Sequence, residues 1–387
     1  MNRKLDNAEK QLETAMLSPQ EKCLLDLLFG EKMTEKAIHA LIDGLDLDTA
    51  NQNYILMLSC LGHTQGWNYF PDEMIPRLKG VHRYHQVHNA MGIPWLVRQL
   101  RTLTDAGIPV MLLKGCAMLA YYMPHMPRLM WDYDIAVPAD QYDRALQLLL
   151  KNGNTLAYEV SHSAAIKGPR DEIDLHRWIF KTYGERSTDI WDRAISFDFH
   201  GIGVLVPSPE DMFIHMLDTQ SRNYFRREGI ERRMQWIHDC RSVWKKSGQL
   251  DLGRLAVRAE EFSAVERVRM MLALFMQYFP DLIEPAGFQR FFPQTAKYSR
   301  LLIRGEEYRK ALEKYAGFAY DSQSARTPLH ILRSAKMRIT YYRYMGPEML
   351  DFFFWFTRDH RIGSFAAFAK EYLPRIWFWE RRRAGGE

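Results

Sequence analysis

Hydrophobic and polar positions divide this chain into three stretches of different period. From Ser18 to about Ile93 the apolar residues recur at spacings of three and four, as in Leu24-Leu25, Leu27-Leu28 and then Ile55, Leu56 and Leu58. That repeat places them on one face of successive helices. Ser18-Pro19-Gln20-Glu21 supplies a capping hydroxyl, a proline for the first helical position and an early acid, so a helix starts there.

In the middle stretch the period shortens. A helix from about Trp95 to Asp105 stops near Gly107-Ile108-Pro109, and a strand follows over Val110 to Leu113. The pattern then predicts a helix over Ala117 to Tyr122, a strand over Tyr133 to Val137 and a helix over Ala139 to Lys151 that ends at Asn152-Gly153. Strands are expected near Leu156 to His162, Ala164 to Lys167 and Ile173 to His176, with Gly168-Pro169-Arg170-Asp171 as a turn and Gly201 to Val206 as an added edge strand. Mixed strands with helices against them make an α+β layer. From Pro209 onward the chain is again mostly helical. The expected organisation is a helical region over 1–91, a small mixed-sheet core over 92–208 and a helical region over 209–387.

Composition narrows the picture. With 387 residues, 47% of them hydrophobic, the chain has material for two or three domains with real cores. A net charge of +5 does not mark a nucleic-acid binder. Arginines crowd Arg222, Arg226, Arg227, Arg232 and Arg233, where they form either a solvated face or a contact for triphosphate or an acidic acceptor. Cys23, Cys60, Cys116 and Cys240 lie far apart without metal-binding spacing, which argues against zinc and against a disulfide framework. The polar N-terminus lacks a signal-peptide core, and no run reaches the roughly 18 apolar residues of a membrane span. A cytoplasmic protein is expected. Ile376-Trp377-Phe378-Trp379 followed by Arg381-Arg382-Arg383 would suit peripheral contact with a membrane surface. His82, His85 and His88 recur every third residue, so on a helix each step drifts by about 60° and the three do not converge on one ion.

The candidate chemistry lies between Val110 and Pro138. Lys114-Gly115 closes an apolar strand, Arg128 follows a short helix, and Asp132-Tyr133-Asp134 heads the next strand. Side chains two apart in a strand share a face, so Asp132 and Asp134 point the same way. Two carboxylates on one edge suit a hard divalent cation that shares its oxygen ligands with substrate phosphates. Glycine after a strand lets the backbone approach a phosphate closely. In Glu172-Ile173-Asp174-Leu175-His176 the acid Asp174 is framed by apolar residues, and His176 shares its face. Glu172 is the fallback acid.

The order Lys114-Gly115, then Tyr121-Tyr122, Arg128 and Asp132-x-Asp134-Ile135-x-Val137 resembles the uncharacterised nucleotidyltransferase family of the DNA polymerase β superfamily. The similarity extends from about Gly92 to Trp244, through Asp174-Leu175-His176 and Gln235-Trp236-Ile237-His238-Asp239. Two features depart from the family pattern: Cys116 follows the glycine, and Arg177 is inserted before Trp178. The resemblance implies Mg²⁺ or Mn²⁺ held by Asp132, Asp134 and Asp174, with Asp174 as general base. It also implies a nucleoside triphosphate such as ATP at the Lys114-Gly115 turn; Arg128 either bridges a phosphate or pairs with an aspartate, and His176, on the face of Asp174 by strand alternation, either orients that carboxylate or contacts the substrate. A nucleotidyl group would pass to an acceptor hydroxyl on a small molecule, saccharide, RNA or protein, with release of pyrophosphate. Two other readings stay open: a nucleotide-binding module without catalysis, and a glycosyltransferase that uses the Asp-x-Asp pair to hold a sugar nucleotide's metal.

Overall fold

A computed structural model describes residues 17–48, 50–122, 128, 130, 132–159, 162–180, 189–223, 233–248, 250–295, 298, 299 and 301–304. Residues 15–293 form one compact unit, and residues 1–14 with 294–387 form a second. The aromatic and arginine run over 376–383 lies outside the described residues, as do Arg226, Arg227 and Arg232. Among the described residues, no helix is long and apolar enough to cross a membrane.

The larger unit opens with helices α1 (Pro19–Phe29), α2 (Glu35–Ile42), α3 (Gln52–Gln65) and α4 (Ile75–Asp105). The expected cap is present on α1: Ser18 Oγ accepts from the Glu21 N–H at 3.1 Å, and Glu21 returns a carboxylate to the Ser18 N–H at 2.7 Å. Helix α4 is far longer than the Trp95–Asp105 segment that the pattern predicts, because it runs through Pro94 for 31 residues. One proline removes one helical hydrogen bond. Burial of Leu78, His82, His85, Trp95, Leu96, Leu100 and Leu103 along its length carries the helix past that loss. His82 and His85 are core residues, and the His82 ring lies 3.9 Å from that of His63.

Next come β1 (Met111–Leu112), α5 (Lys114–Met118), β2 (Tyr133–Ala136), a 3₁₀ turn (Ala139–Gln141), α6 (Tyr142–Lys151), β3 (Thr155–Glu159), β4 (Ser163–Lys167) and β5 (Glu172–His176). Then follow α7 (Asp189–Asp192), β6 (Ile195–Phe199) and β7 (Ile202–Val206). The seven strands form one mixed sheet in the order β3-β4-β5-β2-β1-β7-β6. Strand β2 pairs antiparallel with β1 and parallel with β5, while β1 pairs parallel with β7. The fold is α+β.

One strand differs from expectation. Gly201 to Val206 is not an edge, since β7 sits between β1 and β6. The alternation Ile195-Ser196-Phe197-Asp198-Phe199 makes a hairpin partner for it, turned at His200 and Gly201 with φ of 52° and 78°. The Asp198 carboxylate accepts from the Gly201 N–H at 3.0 Å and braces the turn.

Helices α8 (Pro209–Asn223), α9 (Arg233–Lys246), α10 (Leu252–Glu261), α11 (Val265–Tyr278) and α12 (Pro285–Phe291) complete the unit, with α8 packed against α9, α10 and α11. Two glycines let α4 dock on the sheet side of the molecule. A methyl at Gly92 would collide with the Tyr133 hydroxyl, and one at Gly168 with the Trp95 ring.

Candidate active site

Parallel pairing of β2 and β5 sets Asp134 directly opposite Asp174. In-register residues of adjacent strands share a face, so the two carboxylates are neighbours by backbone geometry alone. His176, two residues beyond Asp174, points to the same face, and its Nε2 lies 2.9 Å from Asp134 Oδ1 and 3.2 Å from Asp174 Oδ2. Lys114 Nζ donates to the same Asp134 oxygen in a short charged contact. Lys114 itself holds φ of 43°, a left-handed conformation rare outside glycine, at the junction of β1 and α5.

The electrostatics follow from that packing. Burial works to raise the Asp134 carboxyl pKa, yet Lys114 and His176 outweigh it and hold the group below the ordinary value. Burial likewise opposes ionisation of Asp174, while His176 and then Lys114 pull its pKa well down. Burial disfavours the charged imidazole of His176, and Asp174 and Asp134 nevertheless raise its pKa. Burial is the largest single influence on Lys114 and works against its charge, yet Asp134, Asp174 and Asp132 together outweigh it and raise its pKa. Two cations thus sit against two carboxylates. Of the two oxygens not engaged in these contacts, Asp174 Oδ1 is buried with no hydrogen-bond partner.

A buried carboxylate oxygen without a donor is costly unless a ligand completes it. Among the described residues, Asp134, Asp174 and His176 form the group whose ligand atoms, all within 4.8 Å of one another, could hold a metal ion. The donor set of two carboxylates on one sheet face fits a hard cation. Asp132 stands exposed at the head of β2, outside that group but close enough to raise the Lys114 pKa. Glu172 is half-buried at the start of β5, opposite Lys167.

Gly115 and Arg128 meet in a second cluster. A methyl on Gly115 would lie 2.5 Å from Arg128 Nη1, so the missing side chain is what admits the guanidinium to this turn. Arg128 pairs with Asp239 on α9, through Nε at 3.3 Å and Nη2 at 3.0 Å. The Tyr122 hydroxyl and Gln235 Nε2 donate to the other Asp239 oxygen, the latter at 3.1 Å. Asp239 and Tyr122 carry no prediction as site residues. Their only signal in the sequence is that both fall within segments that follow the family pattern. Arg177 turns away from the site: its guanidinium stacks 4.2 Å over the Tyr142 ring and pairs with Asp143 at 3.2 Å. Strand alternation past His176 sends it to that opposite face.

The model of the uncharacterised nucleotidyltransferases matches residues 47–280, more than half of the chain. The chain belongs to that family. The family match takes in every candidate side chain above, from Lys114 to Asp239, together with α3, α4 and helices α8 to α11. No curated sequence matches this family member. Among solved structures it is similar to the solution structure of the antibiotic-resistance factor ANT(2'')-Ia, at 13% identity and a TM-score of 0.33, over 49% of this chain and 95% of that one. A crystal structure of ANT(2'')-Ia in complex with adenylyl-2''-tobramycin gives 13% and 0.34 over 49% and 99%. A nucleotidyltransferase-like protein from Paracoccidioides brasiliensis gives 17% and 0.35 over 49% and 88%.

Proposed function

We propose that this protein transfers a nucleotidyl group from a nucleoside triphosphate to an acceptor hydroxyl, using Mg²⁺ or Mn²⁺, in the cytoplasm. The observation that carries the reading is the Asp134–Asp174 pair, in register on adjacent strands beside the Lys114-Gly115 turn. Asp132, Asp134 and Asp174 would hold the cation, and the partnerless Asp174 Oδ1 is the oxygen that most needs it. When bound, such a cation supplies charge stabilisation on the triphosphate and lowers the pKa of the acceptor hydroxyl.

The chain's own residues do the rest. Lys114 neutralises negative charge on the triphosphate, and the Gly115 turn with Arg128 orients the phosphates. The acceptor oxygen forms a bond to the α-phosphorus as the bond to the bridging oxygen breaks and pyrophosphate leaves. The acceptor proton passes to Asp174. His176 holds the two carboxylates in their relative positions.

The test incubates the full chain with each of the four α-labelled nucleoside triphosphates, Mg²⁺ or Mn²⁺ and cell extract, beside Asp132→Ala and Asp134→Ala. Label on a discrete acceptor with the wild type alone supports the reading. Metal-dependent binding without transfer favours a non-catalytic binding module, and a parallel incubation with a sugar-labelled sugar nucleotide that moves label onto an acceptor favours a glycosyltransferase.

A further inference from the structure

A cavity of about 220 Å³ lies between the last turns of α1 and α9. Its apolar side is made by Phe29 and Tyr121, and its polar side by His238, Ser242, Lys245 and Lys246 of α9. Positions four, seven and eight after His238 share its face of the helix. The inner end of this cavity offers acceptors. A phenol has one proton to give, and the Tyr122 hydroxyl gives it to Asp239, the carboxylate paired with Arg128. His238 Nδ1, 3.2 Å from Tyr122 Oη, is then the donor of that contact. Burial brings the His238 pKa down to about 4, so the ring is neutral and its Nε2 carries a lone pair. Among the described residues, none donates to that nitrogen. Ser242 Oγ gives its proton to the His238 carbonyl at 2.9 Å, and the Tyr121 hydroxyl gives its own to the Pro207 carbonyl at 2.7 Å. The rim is of the opposite kind, because the exposed Lys245 and Lys246 bring donors and positive charge.

We propose that this cavity binds a small aromatic anion: its carboxylate or phosphate on Lys245 and Lys246, its ring against Phe29 and Tyr121, and an O–H or N–H donor at its far end bonded to His238 Nε2. A polar atom 97% buried with its residue and left without a donor is costly, and a ligand donor removes that cost. The volume lies below the range of drug-sized pockets, which suits a single ring. Seven helical residues separate His238 from Lys245, about 10 Å along the axis, so donor and charge belong at opposite ends of the ligand. The proposal stands apart from the nucleotidyl-transfer reading, since neither the carboxylate pair nor Lys114 lines the cavity. A purely structural histidine would be indifferent to a hydroxyl on the ligand. This one should require it.

The experiment is isothermal titration calorimetry of the purified full chain with 4-hydroxybenzoate and 4-hydroxyphenyl phosphate, each beside its counterpart without the hydroxyl, benzoate or phenyl phosphate. At least one para-hydroxy probe is expected to bind with a Kd of about 1 mM or tighter, and which of the two binds better tells a carboxylate ligand from a phosphate one. Loss of the hydroxyl should weaken binding about fivefold, the scale of one neutral hydrogen bond. The charge reversal Lys245→Glu/Lys246→Glu, at two exposed positions, should weaken it more than about tenfold. In His238→Phe the para-hydroxy probe and its counterpart should bind equally. No binding of either para-hydroxy probe, an affinity that ignores the charge reversal, or a preference for the hydroxyl that survives His238→Phe would overturn the site. If His238→Phe does not fold, the wild type decides the role of Nε2, because equal affinity with and without the hydroxyl overturns it.

Discussion

Asp134 and Asp174 stand opposite one another on parallel strands and share His176, whose single Nε2 reaches a carboxylate oxygen of each. The pair is therefore built into the sheet. Strand register sets the separation of the two acids, and one protonated ring screens their repulsion.

That arrangement separates the two members of the Asp-x-Asp motif. Asp134 is 4% exposed and neutralises Lys114 and His176, so Asp134→Asn should destabilise the fold by about 2 kcal/mol, below the usual cost of breaking a buried pair because His176 can release its proton. Asp132 is exposed, and Asp132→Asn should leave stability within about 0.5 kcal/mol of the wild type. Both should abolish nucleotidyl transfer. Urea denaturation run beside the labelling assay checks the split; equal stability losses would contradict it.

Lys114 is the cation nearest the carboxylates, and its left-handed backbone fixes where the ammonium points. Lys114→Met should lower transfer about 100-fold, the scale seen when one preorganised donor to developing charge is removed. Saturation kinetics with the acceptor identified would measure it. A loss under about threefold would remove Lys114 from the phosphate site.

Gly115→Ala places a methyl 2.5 Å from Arg128 Nη1 and 3.3 Å from Met130 Cγ. An ordinary arginine would move aside, but this one is held by Asp239. The substitution should cost about 1–3 kcal/mol, as overpacking does, and weaken triphosphate binding as well. Thermal melting with and without Mg²⁺-nucleotide reads both effects. Full retention of ligand-induced stabilisation would place the turn away from the phosphates.

Two buried histidines give the fold an acid limit. Burial, with Lys114 and His176 nearby, pushes His215 down to about 3, and burial brings His238 down to about 4. A histidine whose folded pKa lies below its unfolded value of roughly 6.5 binds fewer protons in the native state, so stability is full above that value and declines as pH falls toward the folded pKa. At pH 5 each costs about 2 kcal/mol. Unfolding free energy should therefore drop between pH 6.5 and 4, and His215→Phe should flatten part of that slope. An unchanged slope would mean that His215 takes up its proton in the native state.

Much of the site is legible in the sequence because its parts are local. Lys114-Gly115, Asp132-x-Asp134 and Asp174-x-His176 each express a strand end or a strand alternation, and the structure links Lys114 to Asp134 and joins Asp134 and Asp174 through His176. The partner of Arg128 was hidden because a salt bridge between positions 111 apart leaves no periodic trace. Strand β6 is missed for another reason: its alternation spans only five residues and buries only Phe199 among its apolar positions, so the pattern is short and the His200-Gly201 turn is its other mark. The length of α4 was masked by Pro94, a residue that ordinarily signals a boundary.

Strand β1 consists of Met111 and Leu112, and those two residues join four strands on one side to two on the other. Met111 pairs with Ala136 in one direction and with Leu205 in the other. A fragment cut to the recognisable Asp-x-Asp and Asp174 segments would leave β1 with a bare edge immediately before Lys114. Any piece that still carries the carboxylate pair must therefore include Val206, and it must reach Asp239 to keep the partner of Arg128, so any excision, permutation or split-protein design has to keep the β6–β7 hairpin.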